Sequence, residues 1–415
     1  MRRGIGFLIA AQFVSGLADN ALLIVAMARL AELGQSAWLA PLLKAVFTLA
    51  YVVLAPWAGA LADRWPKARV MLAANGLKAL ACALMALAID PLLAFALAGV
   101  GAAAYSPAKY GLVTELSAPA DLVRANGWLE VTTVGAIILG TALGGLLVGP
   151  WLLTDATRQL GHALPVSTPL GAAILLVLAL YALAGALNLL IPASGAQPHA
   201  MQPSFHALLA RFAHAQRTLW RDAQGGLSLG VTTLFWGAGA TLQFVVLAWA
   251  QQNLGLSLSN AAYLQGVVAI GIGVGALAAG RWVQLQQAPR VLPLGVLMGA
   301  CVPLLTLVHS VGVAAPLLAT VGALAGFFVV PMNALLQHRG QQLLGAGESI
   351  AVQNFNENLC VLGMLGAYAA LQMAGWPLHR AVFALGAVVA LGVLSVMWRY
   401  RLMGGRKQLL KGEHP

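Results

Sequence analysis

Long apolar stretches, each close to the length of a membrane-crossing helix and set apart by short polar breaks, recur from one end of this chain to the other. They leave few folds open. Only helices and closed barrels cross a hydrocarbon layer, because every backbone N–H and C=O must find its partner inside the structure. A helix of roughly 20 apolar residues matches the thickness of that layer. Read this way, the 415-residue chain offers about twelve spans, at 5–28, 37–62, 69–89, 92–114, 127–150, 168–191, 226–250, 260–283, 291–311, 314–337, 350–374 and 379–400. Composition agrees: 60% of residues are hydrophobic and 8% charged, where a soluble domain carries about 25% charged residues. The expected fold class is an all-α membrane protein. The first apolar run has no small-residue cleavage site and contains Asp19 and Asn20, which marks a retained helix rather than a signal peptide.

The bases are one-sided. Of the 23 lysines and arginines, Arg29, Arg158 and Arg380 fall in loops on one side, and Lys44, Lys78 and Lys109 fall inside spans. The remainder, among them Arg2, Arg3, Arg64, Lys67, Arg69, Arg211, Arg281, Arg339, Arg406, Lys407 and Lys411, share the other side. The positive-inside rule then puts both termini in the cytoplasm. The net charge of +11 follows from topology and attraction to anionic headgroups, with no nucleic acid needed. Cys82, Cys301 and Cys360 all lie in spans. Their spacing fits neither a metal site nor a disulfide framework, so they read as packing residues, and no cofactor is expected.

The segment from Ala55 to Lys78 is the most informative hairpin. An apolar helix passes Gly59 and stops at Asp63-Arg64, a turn holds Pro66, and Lys67 and Arg69 open the next helix. A near copy recurs as Gly275-Ala276-Leu277-Ala278-Ala279-Gly280-Arg281-Trp282, and Pro331 stands in the second half where Pro107 stands in the first. The chain therefore reads as two pseudo-symmetric six-helix bundles, 1–192 and 226–402, joined by a central cytoplasmic loop, 193–225, and followed by a tail, 403–415. The loop places Arg211, Arg217 and Arg221 among Phe205, Phe212 and Trp220, the pattern of an amphipathic helix lying on a surface.

Polar residues inside the spans mark candidate sites, since a charge in hydrocarbon must meet water or a partner. Gln12, Ser15, Gly16 and Asp19 share one face of the first helix, and Asn75, Lys78 and Cys82 one face of the third. Lys44 lies about five residues inside the outer end of the second, where snorkelling and a cavity role are equally open. Lys109 follows Pro107, which should loosen the fourth helix. Asn126, Glu130 and Thr133 share a face of the fifth, ahead of a small-residue seam at Gly140, Gly144 and Gly149. Gln243 lies in the seventh helix, and Gly271 and Gly275 form a seam in the eighth. Gln353, Asn354, Glu357 and Asn358 form one wide polar face of the eleventh. No nucleotide-binding phosphate loop, His-Glu-x-x-His or Gly-x-Ser-x-Gly motif occurs, which argues for a transporter over an enzyme.

The Gly59-x-Leu61-Ala62-Asp63-Arg64 hairpin with Lys67 and Arg69 resembles the loop 2–3 signature of the major facilitator superfamily, with Pro66 where that signature usually has glycine. AQFVSGLADNALL, GVGAAAYSPAKYG, LVRANGWLE, LFWGAGATL, GFFVVPMNALLQHRG and IAVQNFNEN resemble the bacterial lysophospholipid transporter family. That resemblance implies movement of lysophospholipids such as lyso-phosphatidylethanolamine from the outer to the inner leaflet of the cytoplasmic membrane. It also implies a partner acyl-ACP synthetase/acyltransferase that re-acylates them, and the superfamily norm is a monomer. The family's functional Asp-Asn pair in helix 1 falls on Asp19 and Asn20. Its arginine in helix 7 is replaced here by Gln243, which removes a helix 1 to helix 7 ion pair and shifts headgroup recognition toward Lys44, Lys78 or Lys109. The alternatives are a proton-coupled drug or small-metabolite exporter of the same fold, and a non-transporting scaffold for the acyltransferase.

Overall fold

The computed structural model describes residues 3–35, 39–149, 170–194 and 204–404. Arg2, Arg158, Arg406, Lys407, Lys411, the loop segment 195–203 and the tail from 405 onward lie outside them. The described residues form α-helices and short 3-10 turns, with no strand among them. In chain order the helices are α1 (Arg3–Glu32), α2 (Leu39–Val53), α3 (Ala55–Arg64), α4 (Lys67–Ala86), α5 (Pro91–Leu116), α6 (Leu122–Leu147) and α7 (Gly171–Leu189). They continue with α8 (Phe205–Arg221), α9 (Ala223–Leu254), α10 (Leu258–Trp282), α11 (Leu292–Cys301), α12 (Val311–Leu343), α13 (Ala346–Met373) and α14 (Leu378–Leu402).

Among the described residues, ten spans are long and apolar enough to cross a membrane, eleven if the bent pair α2–α3 counts as one. The expected single span 37–62 breaks at Leu54, with a 61° bend between its two parts. Pro56 sits in the first turn of α3. Its ring removes an N–H and crowds the carbonyl one turn back, which favours a break at this point. The expected helix 291–311 is a short α11 between two 3-10 stretches, with Pro289, Pro293 and Pro303 along it. By contrast, α5 and α12 run unbroken through Pro107 and Pro331, so the loosening expected at Pro107 produces no break. Helix α13 is 28 residues long yet falls short of the ten, because its first half carries Glu348, Gln353, Asn354, Asn356, Glu357 and Asn358.

The chain forms two compact units, each discontinuous in sequence. The first contains residues 1–116, 135–212 and 346–354, the second 117–134, 213–345 and 355–415. In the first unit, the core gathers Ala18, Leu22 and Val25 of α1, Ala81, Cys82 and Met85 of α4, Phe95 and Ala98 of α5, and Ile174, Val177 and Tyr181 of α7. Small residues on α1, α4 and α5 let these helices approach closely, as van der Waals packing in a membrane requires. Gly140 and Gly144 of α6 pack on Leu17, Asn20 and Ile24 of α1, and a Cβ at Gly144 would lie 2.7 Å from that of Ile24.

In the second unit, Gly271 and Gly275 of α10 press on Ala319 and Ala323 of α12, while Gly322 and Gly326 of α12 press back on Val268 and Ile272. The seam expected on α10 is thus one side of a reciprocal pair. The start of α6 joins this unit: a Cβ on Gly127 would lie 2.7 Å from the Ala276 carbonyl oxygen.

Candidate functional site

Helix α1 brings its polar face against α4 and α7 inside the first unit. Lys78 Nζ of α4 lies 2.8 Å from Asp19 Oδ2 and donates to Ser15 Oγ at 3.2 Å. The Tyr181 hydroxyl of α7 donates to the other carboxylate oxygen, Asp19 Oδ1, at 2.7 Å. Ser15 passes its own hydrogen to Asn75 Oδ1 at 2.8 Å. The Lys78 ammonium also stands 5.1 Å and 5.6 Å from the ring centroids of Tyr105 and Tyr181, within cation–π range. A buried ammonium is tolerable only when paired and hydrogen-bonded, and Lys78 has both. The pair is asymmetric: the Lys78 side chain is 1% exposed and that of Asp19 22%. The carboxylate is therefore the more accessible member of the pair.

Two turns before Asp19, the same helix face is used again. Lys109 of α5 donates to Gln12 Oε1 at 3.4 Å and lies 4.1 Å from the Tyr110 ring centroid. Asn20 turns back on its own helix, donating to the Gly16 carbonyl at 2.8 Å. Lys44 is exposed on α2. Asn354, expected on the polar face of α13, exchanges hydrogen bonds with Ser106 of α5 at 2.9 and 3.2 Å, and Gln353 beside it is buried. Glu357 is buried and Asn358 half-buried in the second unit, where Glu130 of α6 is also buried. Gln243 is exposed, and its backbone carbonyl accepts from Gln265 Nε2 at 2.7 Å.

The hairpin between α3 and α4 meets the start of α13. Asp63 accepts the backbone N–H groups of Gly347 at 2.7 Å and Glu348 at 2.8 Å. A carboxylate there satisfies orphan donors and complements the positive end of the helix dipole. Lys67 links Asp63, at 3.6 Å, to Glu115 at the end of α5, at 2.6 Å. Gly59 allows the approach, since a Cβ on it would lie 2.7 Å from that of Ala351 and 3.1 Å from Glu348 Cα. Arg211 of α8 completes the group with two bonds of 2.9 Å to the Glu348 carboxylate. That pairing holds the Arg211 guanidinium above its ordinary pKa, the bonds to Glu348 outweighing partial burial. Arg64 and Arg69 are exposed and stay out of this cluster.

In the second unit, Asn126 of α6 and Gln337 of α12 exchange two amide bonds of 2.8 Å. Arg339 grips Asp222, which caps α9 through Gly225 N. Asn356 of α13 joins Gln216 and Trp220 of α8.

Sequence reasoning missed Tyr181, Ser106, Gln337 and the Arg211–Glu348 pair. Tyr181 had one available signal: a hydroxyl in the otherwise apolar run of α7 needs a partner when buried.

Long apolar helices with oppositely charged side chains paired inside them are the arrangement of a polytopic membrane protein, and the family match makes it a transporter. The chain belongs to the Major Facilitator Superfamily, whose family model matches residues 8–355, and within it to the lysophospholipid transporter family. It is 42% identical over 402 residues to the Lysophospholipid transporter LplT of Escherichia coli strain 536, with 96% of each chain covered. The protein of the same name from Shigella flexneri matches to the same extent, 42% over 402 residues and 96% of each chain. Among solved structures, the human organic anion transporter MFSD10 (TETRAN) superposes with a TM-score of 0.73 at 16% identity, over 96% of this chain and 99% of that one. This last likeness concerns the fold alone.

Proposed function

We propose that this protein carries lysophospholipids, lyso-phosphatidylethanolamine among them, from the outer to the inner leaflet of a bacterial cytoplasmic membrane for re-acylation. The observation that carries the reading is the Asp19–Lys78–Tyr181 cluster, a charged pair inside the spans with the carboxylate as its accessible member. A zwitterionic headgroup brings an ammonium that Asp19 attracts and a phosphate that a lysine attracts, while the single acyl chain stays in lipid. Within the first unit, Asn20, Lys109, Gln353 and Asn354 are proposed to assist this cluster; within the second, Glu130, Gln243, Glu357 and Asn358 are proposed as transport residues in their own right.

In this reading the chain works as a monomer with both termini in the cytoplasm. It feeds an acyl-ACP synthetase/acyltransferase. Gly59, Asp63 and Lys67 hold the start of α13 on the cytoplasmic side in the state described here, and Arg64 and Arg69 set topology. Transport requires those contacts to break and re-form.

Uptake of labelled lyso-phosphatidylethanolamine by spheroplasts tests the reading. Asp19→Ala and Lys78→Ala both lose uptake at matched expression, and normal uptake by both would refute it.

A further inference from the structure

Four lysines lie within the spans of the first unit, and three of them are engaged, Lys67 with Asp63 and Glu115. Lys78 is locked to Asp19 and Ser15, and Lys109 faces Gln12 and the Tyr110 ring. Lys44 is different. Its side chain is exposed, and among the described residues no carboxylate stands within ion-pair distance of it.

Its direction is fixed by helix geometry. With about 100° between successive residues, Lys44 lies about 140° around α2 from Leu49 and about 180° from Val53. Those two are the strongly exposed apolar residues of α2, at 47% and 54%, and they mark the lipid-facing side. Lys44 shares the opposite side with Thr48 and Tyr51, one and two turns on. Phe47 and Tyr51 make a ring contact at 6.0 Å, and Phe47 meets Phe95 of α5 at 5.2 Å. Lys44 therefore lies off the side marked by Leu49 and Val53, at the edge of the face through which α2 packs, about 100° from the fully buried Leu43.

We infer that Lys44 is the cation that receives the phosphate oxyanion of the single-chain lipid, leaving the Lys78–Asp19 pair intact to hold the ammonium end. This assignment rests on the lysophospholipid reading above. The chemistry behind it is simple. An uncompensated ammonium within a span is unfavourable unless it meets water or a counter-anion, and a phosphate supplies that anion through charge-assisted hydrogen bonds.

The test uses the purified full chain in lipid nanodiscs. Equilibrium binding is measured for lyso-phosphatidylethanolamine, lyso-phosphatidylglycerol, a monoacylglycerol of the same tail, and tail-free glycerophosphoethanolamine. The wild type binds both phosphate-bearing lysolipids more tightly than the monoacylglycerol. Lys44→Gln shrinks that advantage roughly tenfold, with monoacylglycerol affinity unchanged as the check on folding, and Lys44→Arg retains it. A Lys44→Gln protein with the wild-type ratio overturns the assignment and leaves Lys44 as a snorkelling residue. Glycerophosphoethanolamine binding as tightly as the lysolipid, and losing as much in Lys44→Gln, also overturns it, because the site then serves a free phosphodiester. A wild type with no preference for lysolipids over monoacylglycerol overturns the transport reading itself.

Discussion

Lys78 Nζ and Asp19 Oδ2 lie 2.8 Å apart, yet the lysine side chain is 1% exposed and the aspartate 22%. The pair is therefore a buried cation held by a reachable anion. Every other polar contact of the cluster supports this division. Ser15 and two tyrosine rings crowd the ammonium, and Tyr181 fixes the second carboxylate oxygen.

Removing either partner alone strands the other. Asp19→Ala should destabilise the protein by about 3–5 kcal/mol, the range for breaking a buried pair by deleting one member. Lys78→Met in the Asp19→Ala background should recover much of that loss, because no uncompensated charge remains. Thermal or denaturant unfolding in detergent, run as a double-mutant cycle, checks the coupling. Additive losses would contradict the pair.

Tyr181→Phe deletes one hydroxyl and keeps the ring over Lys78. The expected loss is about 1 kcal/mol of stability, with transport reduced further than the stability change explains, since Asp19 then keeps only its Lys78 contact and can turn about it. Stability and uptake measured on one preparation separate the two effects. Unchanged uptake would show that Tyr181 does not position the carboxylate.

Gly59→Leu places side-chain atoms where Ala351 and the Glu348 backbone sit, and Asp63→Ala leaves the first N–H groups of α13 uncapped. Both changes should speed labelling of a single cysteine at position 351 by a water-soluble maleimide, after Cys82, Cys301 and Cys360 are replaced. Asp63→Ala should also cost about 0.5–2 kcal/mol as a lost helix cap. Equal labelling rates in both variants and the parent would mean that the hairpin does not hold α13.

Asn126 and Gln337 satisfy one another through two bonds of 2.8 Å, and Gln337 is 1% exposed. Asn126→Leu leaves a buried amide without its partner and should cost about 1–3 kcal/mol. Asn126→Leu with Gln337→Leu should cost less than the sum of the singles. An unfolding cycle that returns simple additivity would contradict the reciprocal bond.

The spans and the family were legible in the sequence because both rest on local signals: apolar length, and residues held at fixed spacing in motifs. Asp19 and Lys78 could be singled out one at a time, since each is a charge in an apolar run. That they meet each other was not legible, because a helical period gives the face of a residue and not the neighbour that the face will find. Tyr181 hid for the same reason. The break at Leu54 was missed although Pro56 marked it, the apolar run being continuous across it. The segments 117–134 and 346–354 joined units that the order of the chain does not suggest. Close approach at Gly127 and Gly59 explains both, and a glycine in sequence does not say which helix it admits.

The most direct test uses purified protein in unilamellar vesicles, with fluorescent lyso-phosphatidylethanolamine placed in one leaflet and its appearance in the other followed over time. Vesicles with the wild type should redistribute the lysolipid well ahead of protein-free vesicles, and Asp19→Asn, which keeps the side-chain shape and removes the charge, should fall back toward the protein-free rate. Wild-type vesicles no faster than empty ones, or Asp19→Asn as fast as wild type, would contradict a headgroup path built on the Asp19 carboxylate.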